Sequence, residues 1–342
     1  MEFGVHLPHS GLFANPIEIR RVGLEAEKLG YDCVWVHDHI SYGPNHLRNC
    51  WKTGLREQFR ADSEPLFFDS LITLAYLAGI TERIRLGVSI IVLPIRNVLA
   101  VGRQLISLQS FSRGRLIAGV GVGDSHEDFA AVGVDYKERG ARTEESIQVL
   151  KKIFTGGTFS HHGVYYNFER ADFYPIPAPI PLYIGGGVFL KGGTEKDVLV
   201  PRVLDRVARF ADGWIPECTL QSIHEGREYL DAALLKYGRP KDAVKITYIC
   251  TWLCLGNSDE EAQKLARYSV AQTQMWKDTI RTTNKGMLLS LIGSPKTIIR
   301  KLEEYHKAGI DGVSCGILAA DPSAYVATVR RFASEVMPSF RD

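Results

Sequence analysis

Residues 84–123 read IRLGVSIIVLPIRNVLAVGRQLISLQSFSRGRLIAGVGVG, and this stretch indicates the fold class. Ile84 to Leu93 is an apolar run of strand length, and Val98 to Phe111 has the apolar spacing of a helix. Arg115 to Val120 is another strand-like run, and it leads directly into glycines. Two strands separated by a helix of this length are typical of a parallel unit with a right-handed crossover.

The same alternation extends in both directions along the chain. Further strands are predicted at Phe3 to Leu7, Tyr31 to Val36, Pro181 to Ile184, Gly213 to Pro216, Val244 to Leu255 and Gly312 to Leu318. Helices are predicted from an Asn15 cap with Pro16 to a closing Gly30, and at Asp69 to Ile80, Arg142 to Phe154, Pro201 to Ala211, Leu220 to Leu235, Pro295 to Ala308 and Pro322 to Val336. Eight strands and eight helices favour an α/β fold, the (β/α)8 TIM barrel. A doubly wound open sheet is the competing architecture, although it more naturally has five or six strands.

A barrel of this kind needs about 250 residues, so roughly 90 of the chain remain for insertions into a single domain spanning residues 1–342. The predicted insertions follow strands 2, 4 and 7, at about residues 40–66, 155–179 and 257–291. Thr158 to Phe173 alternates around His162-Gly163 and predicts a hairpin, whereas the last insertion has helical spacing.

Composition excludes several classes of protein. The 342 residues are 45% hydrophobic and 23% charged with a net charge of +2, which indicates a globular protein without nucleic acid as its partner. No apolar run reaches the length of a membrane helix, and no export signal is visible, so we expect a cytoplasmic protein without membrane association. The six scattered cysteines suit a reducing compartment, and the Cys250 and Cys254 pair lacks the partners of a zinc site.

Polar residues that follow barrel strands are the candidates for chemistry, because the active face of this fold lies at the carboxyl ends of its strands. His37-Asp38-His39 follows the second strand, and no diagnostic metal-ligand spacing accompanies it. We expect no metal there and favour acid-base chemistry, with Asp38 orienting a ring or a substrate hydroxyl. Hydrogen bonding to loop backbone is the alternative role for the two histidines.

Two glycine-rich loops follow later strands. Gly119 to Gly123, before Asp124, allows a ligand to approach the main chain closely, but a tight turn without a ligand explains it equally well. The loop resembles the dinucleotide fingerprint only loosely, because its third glycine comes one residue early. Gly185-Gly186-Gly187 could form an anion-binding nest for a phosphate, or it could be a flexible loop.

Taken together, these residues resemble the bacterial luciferase-like family of flavin and deazaflavin oxidoreductases. The matching segments, in the order of the family, are Phe3-Gly4-Val5, Leu29 to Asp32 with Trp35 and Asp38-His39, Arg85 to Ser89, Ser112 to Arg115, Gly119 to Gly123, Glu138 to Glu145, Pro181 to Gly186, Ala211 to Trp214 and Gly309 to Gly312. The resemblance implies a TIM barrel that binds FMN or coenzyme F420 at its C-terminal face, commonly as a homodimer.

The resemblance also implies roles for individual residues. It places Asp38 and His39 near the reactive carbon of a deazaflavin ring, and it implies a non-proline cis peptide at Ser89-Ile90 behind that ring. Asp124 falls where some members have a catalytic glutamate, and its shorter side chain departs from that pattern. Gly185 and Gly186 would offer backbone N–H groups to the cofactor phosphate, and we add Gly121 and Gly123 of the glycine-rich loop to the cofactor-binding set.

The first functional hypothesis is therefore an F420-dependent oxidoreductase that transfers a hydride to or from a small alcohol, carbonyl, C=N or C=C substrate. His39 would carry the proton, with Asp38 orienting it and Asp124 as a second acid. The alternatives are an FMN-dependent two-component monooxygenase and a barrel that binds flavin without turnover. The loop after strand 2 would cover an acidic group or act as a solvated lid; its polar and aromatic residues are Tyr42, His46, Arg48, Trp51, Lys52, Arg56 and Arg60.

Overall fold

The computed structural model describes residues 1–11, 13–41, 66–190, 197–273 and 290–341. Within these ranges a closed barrel of eight parallel strands forms the centre of the molecule. The strands are β1 (Glu2–His6), β2 (Cys33–Val36), β3 (Arg85–Val88), β4 (Leu116–Gly121), β5 (Leu182–Gly185), β6 (Gly213–Ile215), β7 (Lys245–Leu255) and β8 (Gly312–Ile317). Strand β8 pairs with β1, and β4 pairs with β5, so the ring is complete. The predicted (β/α)8 barrel is confirmed, and the open sheet is wrong.

Eight helices, one in each connection between strands or after the last strand, pack on the outside of the barrel. The helices are α1 (Pro16–Lys28), α2 (Ser70–Ala78), α3 (Val98–Phe111), α4 (Arg139–Thr155), α5 (Pro201–Phe210), α6 (Leu220–Lys236), α7 (Pro295–Lys307) and α8 (Pro322–Glu335). Helix α1 begins where the sequence predicts, because the Asn15 side chain accepts the Glu18 N–H at 2.9 Å and Pro16 occupies the first turn. No helix among the described residues has the length and apolar character needed to cross a membrane.

The barrel interior is filled with side chains. Trp35 of β2 occupies the centre because the flanking strands carry glycine opposite it, and a Cβ on Gly87 would lie 2.4 Å from the indole Cε3 atom. Interior residues that pack together are Cys33, Trp35, Ile117, Tyr183 and Ile215. The barrel is therefore a packed core, and a ligand site belongs at its C-terminal edge.

The third strand differs from its prediction. The apolar run from Ile84 to Leu93 predicts one continuous strand, but β3 ends at Val88 and a cis peptide bond joins Ser89 to Ile90. A short strand, Ile91–Val92, then pairs with β4, and a 3-10 turn follows. An unbroken apolar pattern reports burial and cannot show that the backbone changes direction. The cis bond itself is at the position that the family resemblance implies.

The predicted hairpin is confirmed as the antiparallel pair Gly157–His162 and Asn167–Phe173. It follows α4, and Glu145 of that helix accepts hydrogen bonds from three consecutive backbone N–H groups at the hairpin tip, beginning with Val164, at 2.8–3.1 Å. Burial alone would raise the pKa of the Glu145 carboxyl, but these N–H donors lower it below its ordinary value. The hairpin thus packs along a barrel helix.

The segments after β2 and β7 are described only in part. The described ranges do not include the seven polar and aromatic residues predicted to form the loop after β2, which lie between Tyr42 and Arg60. They also do not include residues 274–289. After β7, the helix Asp259–Thr273 agrees with the predicted helical character of that insertion. Leu291–Gly293 adds a short parallel strand to the C-terminal half of β7, which the sequence pattern did not indicate.

Candidate active site

Four histidines gather at the C-terminal edge of β1 and β2. The ring centroids of His9 and His37 lie 4.3 Å apart. The ring centroid of Phe67 lies 5.6 Å from those of both His37 and His39. Burial lowers the pKa of His6 to about 3, and it also lowers the pKa of His9 and of His37, each lowered further by charge repulsion from neighbouring histidines. These three rings are therefore neutral near pH 7.

His39 is the histidine of this group that contacts a carboxylate. Its Nδ1 lies 3.0 Å from Oδ2 of Asp128, whose other oxygen, Oδ1, accepts the backbone N–H of Ser41 at 2.9 Å. The Asp128 side chain is 2% exposed and the His39 side chain 19% exposed. The imidazole is thus half-buried at the barrel mouth, with one nitrogen bound to a buried acid.

Asp38 does not orient His39, contrary to the sequence-based prediction. Both of its oxygens accept hydrogen bonds from the Arg96 guanidinium. The Nε–H donates to Oδ2 at 2.9 Å, and Nη2 donates to Oδ1. The Ser70 hydroxyl and the Val92 backbone N–H supply two further donors, at 2.9 and 3.2 Å. The Asp38 side chain is fully buried. Its physical role in the structure is to tie β2 to α2 and to the connection after β3.

Asp128 is the residue that the sequence reasoning missed. It lies in a short helix, His126–Ala131, and its backbone N–H donates to the capping hydroxyl of Ser125 at 3.2 Å. A serine followed three residues later by an acid is a recognisable helix-start signal, and it could have placed this helix. It could not have shown that the carboxylate reaches a histidine 89 positions earlier in the chain.

Ile90, after the cis bond, projects between two glycines of neighbouring strands. A Cβ on Gly121 would lie 2.5 Å from the Ile90 Cδ1 atom, and a Cβ on Gly185 would lie 2.6 Å from its Cγ2 atom. Ser89 is buried, and its N–H donates to the Val36 carbonyl at 2.8 Å. The glycines at these two positions therefore leave space for one isoleucine at the barrel mouth.

This contact gives a testable coupling. We expect Gly121→Ala to lower the free energy of unfolding by about 1–3 kcal/mol, because the new methyl group overlaps Ile90. In an Ile90→Ala background the overlapping atoms are gone, and the nearest remaining atom, Cβ, is 3.6 Å away. The same Gly121→Ala change should then cost much less. Equal costs in the two backgrounds, measured by urea denaturation, would show that Ile90 does not restrict this position.

The other predicted residues of the glycine-rich loops have different environments. Gly123 has φ +71°, and a Cβ there would lie 2.4 Å from Val92. Asp124 is exposed, and its backbone carbonyl accepts the Tyr136 hydroxyl at 3.4 Å. In the connection that follows β4, the acid that reaches His39 is therefore Asp128. The role of Asp124 as a second acid stays a prediction.

The Gly186 backbone is used within the protein. Its N–H donates to the Ile215 carbonyl at 3.3 Å, and its own carbonyl accepts the Trp214 indole N–H at 2.7 Å. In this structure the N–H is thus bonded within the protein, and its predicted contact with a cofactor phosphate stays a prediction. A Cβ on Gly186, at φ +91°, would meet no atom within 4 Å, so this residue borders open space. In the part of the chain that is described, no group of three or more His, Cys, Asp or Glu side chains is arranged to hold a metal.

The amino-acid sequence is similar to those of known proteins. The sequence profile described as luciferase-like monooxygenase matches residues 1–312. An uncharacterized protein of Mycobacterium tuberculosis is 31% identical over 191 residues, which are 56% of this chain and 62% of that relative's length. An F420-dependent glucose-6-phosphate dehydrogenase of Amycolatopsis mediterranei is 25% identical over 330 residues, covering 93% of this chain and 85% of the relative.

A solved structure shares the whole fold. An F420-dependent secondary alcohol dehydrogenase, determined in complex with an F420-acetone adduct, superposes with a TM-score of 0.78 at 15% sequence identity. The match covers 100% of this chain and 99% of the other. At this level of identity the similarity shows a common barrel, and no more than that.

Proposed function

The chain belongs to the luciferase-like monooxygenase family, and on that basis we propose that it is an F420-dependent oxidoreductase. The reaction would transfer a hydride between the deazaflavin and a small organic substrate. One observation carries the proposal: the half-buried His39 imidazole stands at the C-terminal edge of β2, beside the end of β3 that leads into Ser89 and Ile90. The F420-dependent glucose-6-phosphate dehydrogenases among the relatives support the same choice of cofactor.

The residues present fit a flat ring at this edge. Ile90 offers an apolar surface whose position is limited on both sides, because its side chain lies against Gly121 and Gly185. Gly186, the residue after Gly185, borders open space. We propose that Ser89 and Ile90 support the ring, and that the loops with Gly121, Gly123, Gly185 and Gly186 accommodate the rest of the cofactor.

When bound, F420 supplies a two-electron hydride donor or acceptor to the site. The protein's own contribution is the proton. If an alcohol is oxidised, its hydroxyl proton must leave as the carbon loses its hydride, and His39 would accept that proton at Nε2. In the reverse direction the same nitrogen would return it. Phe67 packs against the His39 ring and would exclude water from this part of the pocket.

The alternative function is an FMN-dependent two-component monooxygenase, which the name of the family also suggests. The Asp38-His39 pair favours the deazaflavin enzyme, because the resemblance associates that pair with F420-binding members. The substrate itself is left as a class: an alcohol or carbonyl, or a C=N or C=C bond. Action as a homodimer in the cytoplasm stays a prediction.

A cofactor titration tests the proposal directly. We expect the purified protein to quench F420 fluorescence saturably and to give little response to FMN at the same concentrations. Gly186→Val should weaken F420 binding, since its side chain would enter the open space at the end of β5. The control is Gly238→Val, at an equally open glycine with positive φ after α6, and it should leave F420 binding unchanged. Saturable FMN binding without an F420 response would favour the monooxygenase instead.

A further inference from the structure

We propose that Asp128 is the positioning residue for His39 and that it fixes which ring nitrogen carries the proton. The inference rests on the proposed function, in which His39 exchanges a proton with the substrate. It extends that function to a residue that neither the glycine-rich motif nor the Asp38-His39 pair indicates. The observation that carries it is the 3.0 Å contact between His39 Nδ1 and Asp128 Oδ2.

The carboxylate is well placed to hold the ring. An ionised carboxylate only accepts hydrogen bonds, so the nitrogen that faces it must be protonated: His39 carries Nδ1–H in its neutral form. That tautomer makes Nε2 the basic nitrogen, which is the atom required to accept a proton from a substrate hydroxyl. When the ring becomes an imidazolium, the adjacent negative charge stabilises it, as in the acid-histidine arrangement of other enzymes.

The acid is itself fixed by its surroundings. Its backbone N–H is bound to Ser125 Oγ, and the next residue, Phe129, is buried in a cluster with Val92 and Ile95. Because these contacts anchor the short helix to the connection after β3, the carboxylate has little freedom to move. Its second oxygen accepts the Ser41 N–H at 2.9 Å, so the same group also holds the chain two residues after His39.

This two-point contact predicts a specific consequence for Asp128→Asn. Both carboxylate oxygens accept, whereas an amide has one oxygen and one NH2 group. The Ser41 backbone N–H can only donate, so it should keep the amide oxygen, and the NH2 group then faces His39 Nδ1. A donor at that position requires Nδ1 to accept, which moves the ring proton to Nε2. The variant would keep its shape and lose the basic nitrogen that the proposed proton transfer requires.

The test combines nitrogen NMR with kinetics. In wild-type protein labelled with ¹⁵N-histidine and free of substrate, we expect the His39 signals of an Nδ1–H tautomer, assigned by their loss in His39→Gln. Asp128→Asn should show the Nε2–H tautomer instead. With an alcohol that supports F420 reduction by the wild type, kcat should fall by about 10²–10⁴-fold, while KM and the F420 dissociation constant change less than about threefold. Asp128→Glu should retain the Nδ1–H tautomer and recover part of kcat.

The matched control is Asp135→Asn in the same β4-to-α4 connection. Asp135 is exposed, and its side chain accepts the Lys137 N–H at 2.9 Å. An asparagine side chain can accept the same hydrogen bond, so the His39 tautomer and kcat should both be unchanged. An Nε2–H tautomer in the wild type would overturn the inference even if Asp128→Asn failed to fold. So would an unchanged tautomer and kcat in a folded Asp128→Asn. The NMR result does not depend on cofactor, so it separates failure of this inference from failure of the proposed F420 chemistry.

Discussion

Replacement of His39 by alanine is expected to lower kcat by about 10²–10⁴-fold, the usual contribution of a general acid or base. The variant removes the imidazole at the barrel mouth and leaves Ile90 and the glycines around it in place. F420 affinity should therefore stay nearly constant. The measurement is F420 reduction followed by absorbance, with a substrate selected from a panel of alcohols using the wild type.

Two comparisons make the His39 result specific. His162→Ala removes an exposed hairpin histidine, bonded to Asn167 at 3.0 Å, and should leave kcat unchanged. Added imidazole should restore part of the activity of His39→Ala, because a small base can enter the space that the side chain vacates. A His39→Ala enzyme with wild-type kcat would remove this residue from the proton transfer.

Substitution of Asp38 by asparagine is expected to destabilise the protein by about 3–5 kcal/mol, the cost of breaking a buried ion pair. Four donor groups, from Arg96, Ser70 and Val92, point at its two oxygens. The NH2 group of asparagine would face two of those donors and leave the Arg96 guanidinium without its countercharge. Urea denaturation measures the loss directly.

Asp69→Asn is the matched control for Asp38. The Asp69 carboxylate also approaches Arg96, but at 3.8 Å and with 44% of the side chain exposed, and its cap to Ile72 N–H suits asparagine equally well. We expect a change below about 1 kcal/mol. If Asp38→Asn kept the wild-type unfolding free energy and lost only turnover, Asp38 would return to the chemistry that the sequence first suggested for it.

Local sequence patterns predict most of the barrel because each element carries its own signal. Helix α3 has the bounds that its apolar spacing predicts, and α1 begins after the Asn15 cap as expected. The strand ends are within two residues of prediction except in β3, where burial continues past the point at which pairing with β2 ends. The family resemblance alone predicts the Ser89-Ile90 cis bond, since no local pattern encodes it.

The roles of Asp38 and Asp128 show what local patterns cannot predict. Adjacent side chains of an extended chain point to opposite sides, and His37 and His39 lie on the side of Phe67 while Asp38 faces Arg96. Although Asp38 and His39 are adjacent in sequence, their side chains therefore point away from each other. Asp128 reaches His39 from the connection after another strand, and its distance in sequence gives no sign of that contact.

The sequence by itself determined the barrel, the edge at which chemistry belongs and His39 as the candidate proton carrier. The barrel and its active edge follow from short-range periodicity and from the rule that parallel strands end at one face, whereas the choice of His39 follows from the family resemblance. Only the tertiary structure decided which acid faces the imidazole, which N–H groups are already bonded, and why Gly121 and Gly185 must lack a side chain. Those features depend on the directions of side chains from strands far apart in the chain, which are fixed when the ring of strands closes.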